Sequence, residues 1–177
     1  MSLPYHYVNV LTGTRSCKVL EDASEVAGLL KKANRPLLVI GPLCTSLELS
    51  GCCLMEFGAK IAQAGKLPIV ATANTKKKLV ELGVTPDSTF DIVEIINHLK
   101  KPDWKGVKGE GNHDLVIFLG IRADLANQGL STLKHFAPHL KTLTLCKFLH
   151  PHASYSLPNL RDDKWKDILE SVINFLS

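Results

Sequence analysis

The run Asp114–Gly120, Asp-Leu-Val-Ile-Phe-Leu-Gly, constrains the fold more than any other stretch. A short continuous apolar run rich in Val, Ile and Phe, bounded by a polar residue and a glycine, fits a strand buried on both faces. Arg35-Pro-Leu-Leu-Val-Ile-Gly-Pro42 repeats the pattern. Each run ends in glycine where a parallel sheet hands the chain to a helix. Ligands of open α/β sheets lie outside the carboxyl ends of the strands. That rule places any ligand crevice at Gly41, Pro42 and Leu43 and at Gly120, Ile121 and Arg122.

The rest of the chain alternates in the same way. Asp22-Ala-Ser-Glu25 opens a helix whose apolar positions are Ala23, Val26, Ala27 and Leu30. Thr45-Ser-Leu-Glu48 resembles a capping box, which predicts a long helix from there to about Ala64. Pro68–Thr72 is the next strand and adds Thr72 to the strand-end positions. Lys76-Lys77-Lys78 leads a short helix ending at Gly83, and Asp91 caps a helix carrying Ile92, Ile95, Ile96 and Leu99. Lys100–His113 is polar and glycine-rich and reads as a loop. After strand Asp114–Gly120 comes a helix broken near Gln128-Gly129. A last strand follows at Lys141–Cys146, then a loop at Phe148–Leu160, and a final helix capped by Asp162 or Asp163. Alternating strands and helices predict a three-layer, Rossmann-like α/β fold with a parallel sheet. Residues 1–20 are irregular or a short extended arm, in which Tyr5, Tyr7, Val8 and Val10 suit an edge strand or packing on a neighbour.

A length of 177 residues suits one domain, residues 1–177, with a core large enough to need no staples. The net charge of +4 is far from the footprint of a nucleic-acid binder. No apolar run approaches the roughly 20 residues that span a bilayer. The N-terminal residues lack a basic segment followed by an apolar one, so the expected location is the cytoplasm. The five cysteines have no Cys-x-x-Cys spacing, which points to thiols in a reducing compartment and to no metal site.

Candidate chemistry is sparse. Gly41-Pro42-Leu43 has the location of a phosphate cradle but not its fingerprint, and Pro42 removes one backbone donor. Arg122 either pairs with Asp124 or holds a phosphate or carboxylate. His135 and His139 are separated by Pro138 and cannot share a helix face. His150 and His152 have no acidic or cysteine neighbours that would complete a metal site. No nucleophile motif or carboxylate pair is marked out, so no catalytic residue is assigned. Trp104, between charges in a glycine-rich loop, either packs on its own core or anchors a partner. With Lys105 and Lys108 beside it, and His150 in the second long loop, it forms the candidate partner-binding set.

The segments Lys101–Gly120, Gln128–Cys146 and Phe148–Ala153, with the strands Arg35–Pro42 and Pro68–Thr72, resemble the epsilon subunit of the archaeal acetyl-CoA decarbonylase/synthase complex. The resemblance implies a DHS-like NAD/FAD-binding fold, as in the middle domain of thiamine-diphosphate enzymes and related to sirtuins. It implies a hetero-oligomer with the large alpha subunit of carbon monoxide dehydrogenase, with two of each as one arrangement and self-association as another. Nickel and iron–sulfur clusters are expected in that partner alone. The implied role is structural support of acetyl-CoA cleavage and synthesis, with FAD-linked electron transfer as the alternative. The chain departs from sirtuins in lacking their Gly/Ser/Asp-rich segment after the first strand.

Overall fold

The computed structural model describes residues 16–72 and 74–177. The expected edge strand through Tyr5–Val10 lies outside them. Among the described residues, one sheet of seven strands is built from β1 (Lys18–Val19), β2 (Pro36–Ile40), β5 (Ile69–Ala71), β6 (Ser88–Thr89), β7 (Leu115–Leu119), β8 (Lys141–Thr144) and β9 (Tyr155–Ser156). Its spatial order is β1-β9-β8-β7-β2-β5-β6, and every neighbouring pair is parallel.

The two apolar runs pair at the centre, in register from Pro36↔Leu115 to Ile40↔Leu119. Their side chains alternate between faces, as the pleat requires. Leu38, Ile40, Leu115, Ile117 and Leu119 face a core made with α1 (Ala23–Lys32), α2 (Leu54–Gly65) and α6 (Asp162–Leu176). Leu37, Val39, Val116 and Phe118 face a second core made with α4 (Ile92–Lys100) and α5 (Ala123–Phe136). Layers of helix on both faces explain why these strands are apolar throughout instead of alternating. A short helix, α3 (Thr75–Glu81), follows β5.

Four details depart from the sequence expectation. The long helix does not begin at Thr45. Pro42–Thr45 is a single 3-10 turn, followed by a two-stranded antiparallel hairpin of β3 (Glu48–Leu49) and β4 (Cys52–Cys53). The hairpin turns on Ser50 and Gly51, both at positive φ (50° and 82°), the conformation of a two-residue primed turn. The capping box lies eight residues further on, where Glu56 accepts from the Cys53 N–H at 3.2 Å.

The break at Gln128-Gly129 is absent, and α5 runs unbroken from Ala123 to Phe136. Gly129 is where α4 crosses: a Cβ there would lie 2.3 Å from Ile96 Cδ1. The final helix is preceded by Arg161 at the cap, and Asp162 and Asp163 occupy its first turn, where acids suit the helix dipole. The loop Phe148–Leu160 contains β9, whose two residues carry β1 on the sheet edge. The helix start at Asp91 is as expected, with Glu94 reaching back to the Asp91 N–H.

Candidate functional site

From β2 the chain steps outward to β5 and β6, whereas from β7 it steps the other way to β8 and β9. The adjacent carboxyl ends of β2 and β7 are therefore the topological switch point, where α/β folds place ligands. The sequence-derived residues Gly41, Pro42, Leu43, Gly120, Ile121 and Arg122 all fall there, and Thr72 directly follows the neighbouring β5.

Backbone fills the notch itself. The Gly41 N–H donates to the Leu119 carbonyl at 2.8 Å, and the Leu43 N–H donates to Gly120 at 2.9 Å. A Cβ on Gly41 would lie 2.3 Å from the Gly120 oxygen. Gly120, at φ +68°, has Cys44 Sγ against the place of its missing side chain. The expected helix N-terminus after Gly41 is replaced by the four-residue turn, so no long-helix dipole points at the notch from β2. Thr72 is buried, and its hydroxyl donates to the Ile40 carbonyl at 2.9 Å. Arg122 pairs with Asp124 through two contacts, 2.9 and 3.2 Å, and that hydrogen-bonded guanidinium holds the Asp124 carboxyl below its usual range.

Beside the notch is a cavity of about 370 Å³, lined mainly by apolar atoms. Leu43, Gly120 and Ile121 form one wall; Cys146, Phe148 and Trp165 form another. Trp165 is fixed by its indole N–H donating to the Leu145 carbonyl at 2.8 Å. Burial pushes the Cys146 thiol above its ordinary value, against the opposing N–H groups of Gly120 and Ile121. The Cys146 to Phe148 wall follows β8 and obeys the same carboxyl-end rule, which sequence reasoning applied only to the other strands. Phe148 is 56% exposed and stands at the rim.

His150, also at this end, is buried (2% exposed) and structural in geometry: its N–H donates to Ser156 Oγ at 3.1 Å, and Nδ1 lies 3.1 Å from Asn127 Oδ1. The other partner-binding candidates lie elsewhere. Trp104, Lys105 and Lys108 sit in the loop before β7, at the amino end of the sheet. The structure therefore splits that set between opposite ends of the molecule. Trp104 is half-buried, its ring 5.2 Å from His98 in a near-parallel stack and 5.6 Å from His113. Lys105 and Lys108 are exposed, with Lys108 3.2 Å from Asp87.

His113 locks this loop. The Val107 N–H donates to its Nε2 at 3.3 Å, so Nδ1 carries the proton and donates to the Arg35 carbonyl at 3.1 Å. Among the described residues no three His, Cys, Asp or Glu side chains are grouped to hold a metal ion, and no helix is long and apolar enough to cross a membrane.

A family model described as "CO dehydrogenase beta subunit/acetyl-CoA synthase epsilon subunit" matches residues 1–173. This chain belongs to that family. A relative named acetyl-CoA decarbonylase/synthase complex subunit epsilon, from Methanothermobacter thermautotrophicus, is 50% identical over 144 residues, covering 81% of this chain and 80% of its own. An epsilon 1 subunit of the same name from Archaeoglobus fulgidus is 38% identical, covering 85% of this chain and 80% of its own. The Methanothrix soehngenii epsilon subunit is 37% identical, with 84% and 78% covered.

In this epsilon-family chain, burial is the main force holding both His113 and His150 below the ordinary value of 6.5, helped at His113 by the Arg35 charge. The unfolded chain binds these protons near pH 6.5, and the folded chain only at lower pH. Stability is thus full above about pH 6.5 and falls as pH drops through that value toward the folded-state pKa. Urea unfolding between about pH 7.5 and 5 should show this slope. The slope should flatten in His113→Gln; an unchanged slope refutes the assignment.

Proposed function

We propose that this chain is the non-catalytic epsilon subunit of an acetyl-CoA decarbonylase/synthase complex, acting in the cytoplasm as a structural support for the large alpha subunit of carbon monoxide dehydrogenase. The observation that supports the reading is the match across residues 1–173 to a family described as an epsilon subunit, with relatives named as epsilon subunits of that complex. In this reading the nickel and iron–sulfur chemistry of reversible acetyl-CoA cleavage belongs to the partner. The amino-end loop supplies the contact, with Trp104 behind it and the exposed Lys105 and Lys108 at its surface, a half-buried aromatic with a charged rim.

The second reading is an FAD- or nucleotide-binding electron-transfer module of the same complex, on a DHS-like domain. The cavity at the switch point favours it, because α/β folds bind ligands there and its apolar lining suits a flat ring. The filled notch beside it leaves a phosphate no cradle at Gly41-Pro42.

One purification separates the two readings. Tagged chain recovered from native extract should carry the alpha subunit with its nickel and iron, and Lys105→Glu should weaken that capture. Flavin absorbance in the isolated chain would favour the second reading. Recovery of the chain alone, with neither partner nor flavin, overturns both.

A further inference from the structure

A second cavity, of about 180 Å³, opens at the amino end of the sheet between the C-terminus of α2 and the loop before β7. Its charged lining is Arg35, Lys66, Lys108 and one carboxylate, Glu110. Among the described residues neither Arg35 nor Lys66 belongs to an ion pair, whereas Lys108 is anchored to Asp87. The lining thus has three cations and one carboxylate, with Asp87 bound to Lys108 and Asp114 bound to the Arg35 backbone just outside it.

Arg35 is an exposed residue with its backbone held at two points and its guanidinium at one. Its backbone N–H donates to Asp114 Oδ1 at 2.8 Å, its carbonyl accepts from His113, and its Nη1 donates to the Glu110 carbonyl at 3.1 Å. The guanidinium lies so close over Gly111 that a Cβ there would sit 2.5 Å from Nη1. A guanidinium has five N–H donors, so most of its fork is left for a ligand, and a planar fork matches an oxyanion.

Lys66 closes α2 in the left-handed conformation, φ 51° and ψ 40°, with its N–H donating to the Ala62 and Gln63 carbonyls. Glycine normally takes that position, because a Cβ is disfavoured there. A lysine at this position places a cation at the cavity despite the backbone preference. Of the last-turn carbonyls of α2, those of Ala62 and Gln63 accept from the Lys66 and Leu67 N–H groups.

We propose that this cavity is a binding site for a phosphate-type oxyanion, free or as a phosphate ester, held by the Arg35 fork with Lys66 and Lys108 completing the charge. The site is formed by this chain alone and lies at the other end of the sheet from the switch-point cavity; it shares Lys108 and the loop before β7 with the docking reading, and the phosphate titration of the free chain tests it without the partner.

The test is a titration of the full chain with inorganic phosphate, followed by backbone amide NMR, with sodium chloride holding ionic strength constant and acetate as a parallel arm. Saturable shifts at Asn34, Arg35, Leu67 and Lys108–His113 are expected, with acetate the weaker ligand. Arg35→Gln and Lys66→Gly should each weaken phosphate about tenfold, the worth of a charged hydrogen bond. Lys66→Gly suits the left-handed backbone, so it should keep or raise the unfolding temperature and still lose binding, which separates ligand loss from misfolding. Shifts that never saturate, or spread over surface lysines as with chloride, overturn the site. So does wild-type phosphate affinity in a folded Lys66→Gly protein.

Discussion

Gly41→Ala is expected to destabilise the protein by about 3 kcal/mol or more, the upper range for forcing volume into a packed core. The reason is space. Gly41 sits at φ −92°, which any residue adopts. Its added Cβ, however, would lie 2.3 Å from the Gly120 oxygen and 2.6 Å from Ile121 Cγ1. The first of those atoms is backbone and cannot rotate away. Relief requires the carboxyl ends of β2 and β7 to part, which would stretch the Gly41–Leu119 and Leu43–Gly120 hydrogen bonds. Chemical denaturation of the variant beside wild type measures the loss. A loss under about 1 kcal/mol would show that the two strand ends separate easily and that the notch can open.

Trp104→Ala should lower the stability of the free chain by about 3 kcal/mol, the low end for a large aromatic because the ring is only half-buried. For a chain of this size that is a fall of roughly 6–12 °C in Tm. Trp104 stacks on His98, meets Phe90 at 6.5 Å edge to face, and packs against the core under α4 and α5. It also covers His113, whose two ring hydrogen bonds hold the loop. Thermal unfolding of the free variant gives the first number; capture of the alpha subunit by the folded fraction gives the second. If the Tm is unchanged, the ring is not a structural plug. If the Tm falls and the folded fraction still captures its partner with wild-type affinity, docking does not use Trp104.

The strands and the parallel architecture were legible because periodicity and burial are local statements. Leu37–Ile40 and Leu115–Leu119 have no polar alternation, and only a strand covered on both faces tolerates that. Asp91 with Glu94 was legible for the same reason: a cap is a contact three residues long. Thr45 and Glu48 have the same spacing, yet the helix starts at Leu54. Ser50-Gly51 favoured a hairpin turn, and Cys53 with Glu56 provided a competing capping box. Gly129 carries no local sign of its role, because that role is set by Ile96 on another helix, outside any window of sequence around it.

The carboxyl-end rule located Gly41 and Gly120 from sequence, since a strand's polarity fixes which end each loop leaves. Sequence alone determined that two apolar strands of one sheet end in glycine, that helices alternate with them, and, through whole-chain similarity, the family. Tertiary structure decided what those glycines are for. They let two backbones touch, so the notch is filled and the open space lies beside it, against Cys146, Phe148 and Trp165 from distant segments. It also decided that Trp104 and His150 lie at opposite ends of the sheet, and that Arg35, Lys66 and Lys108 meet around one cavity. Those outcomes depend on strand order and crossover, which join residues far apart in the chain and leave no mark in local pattern.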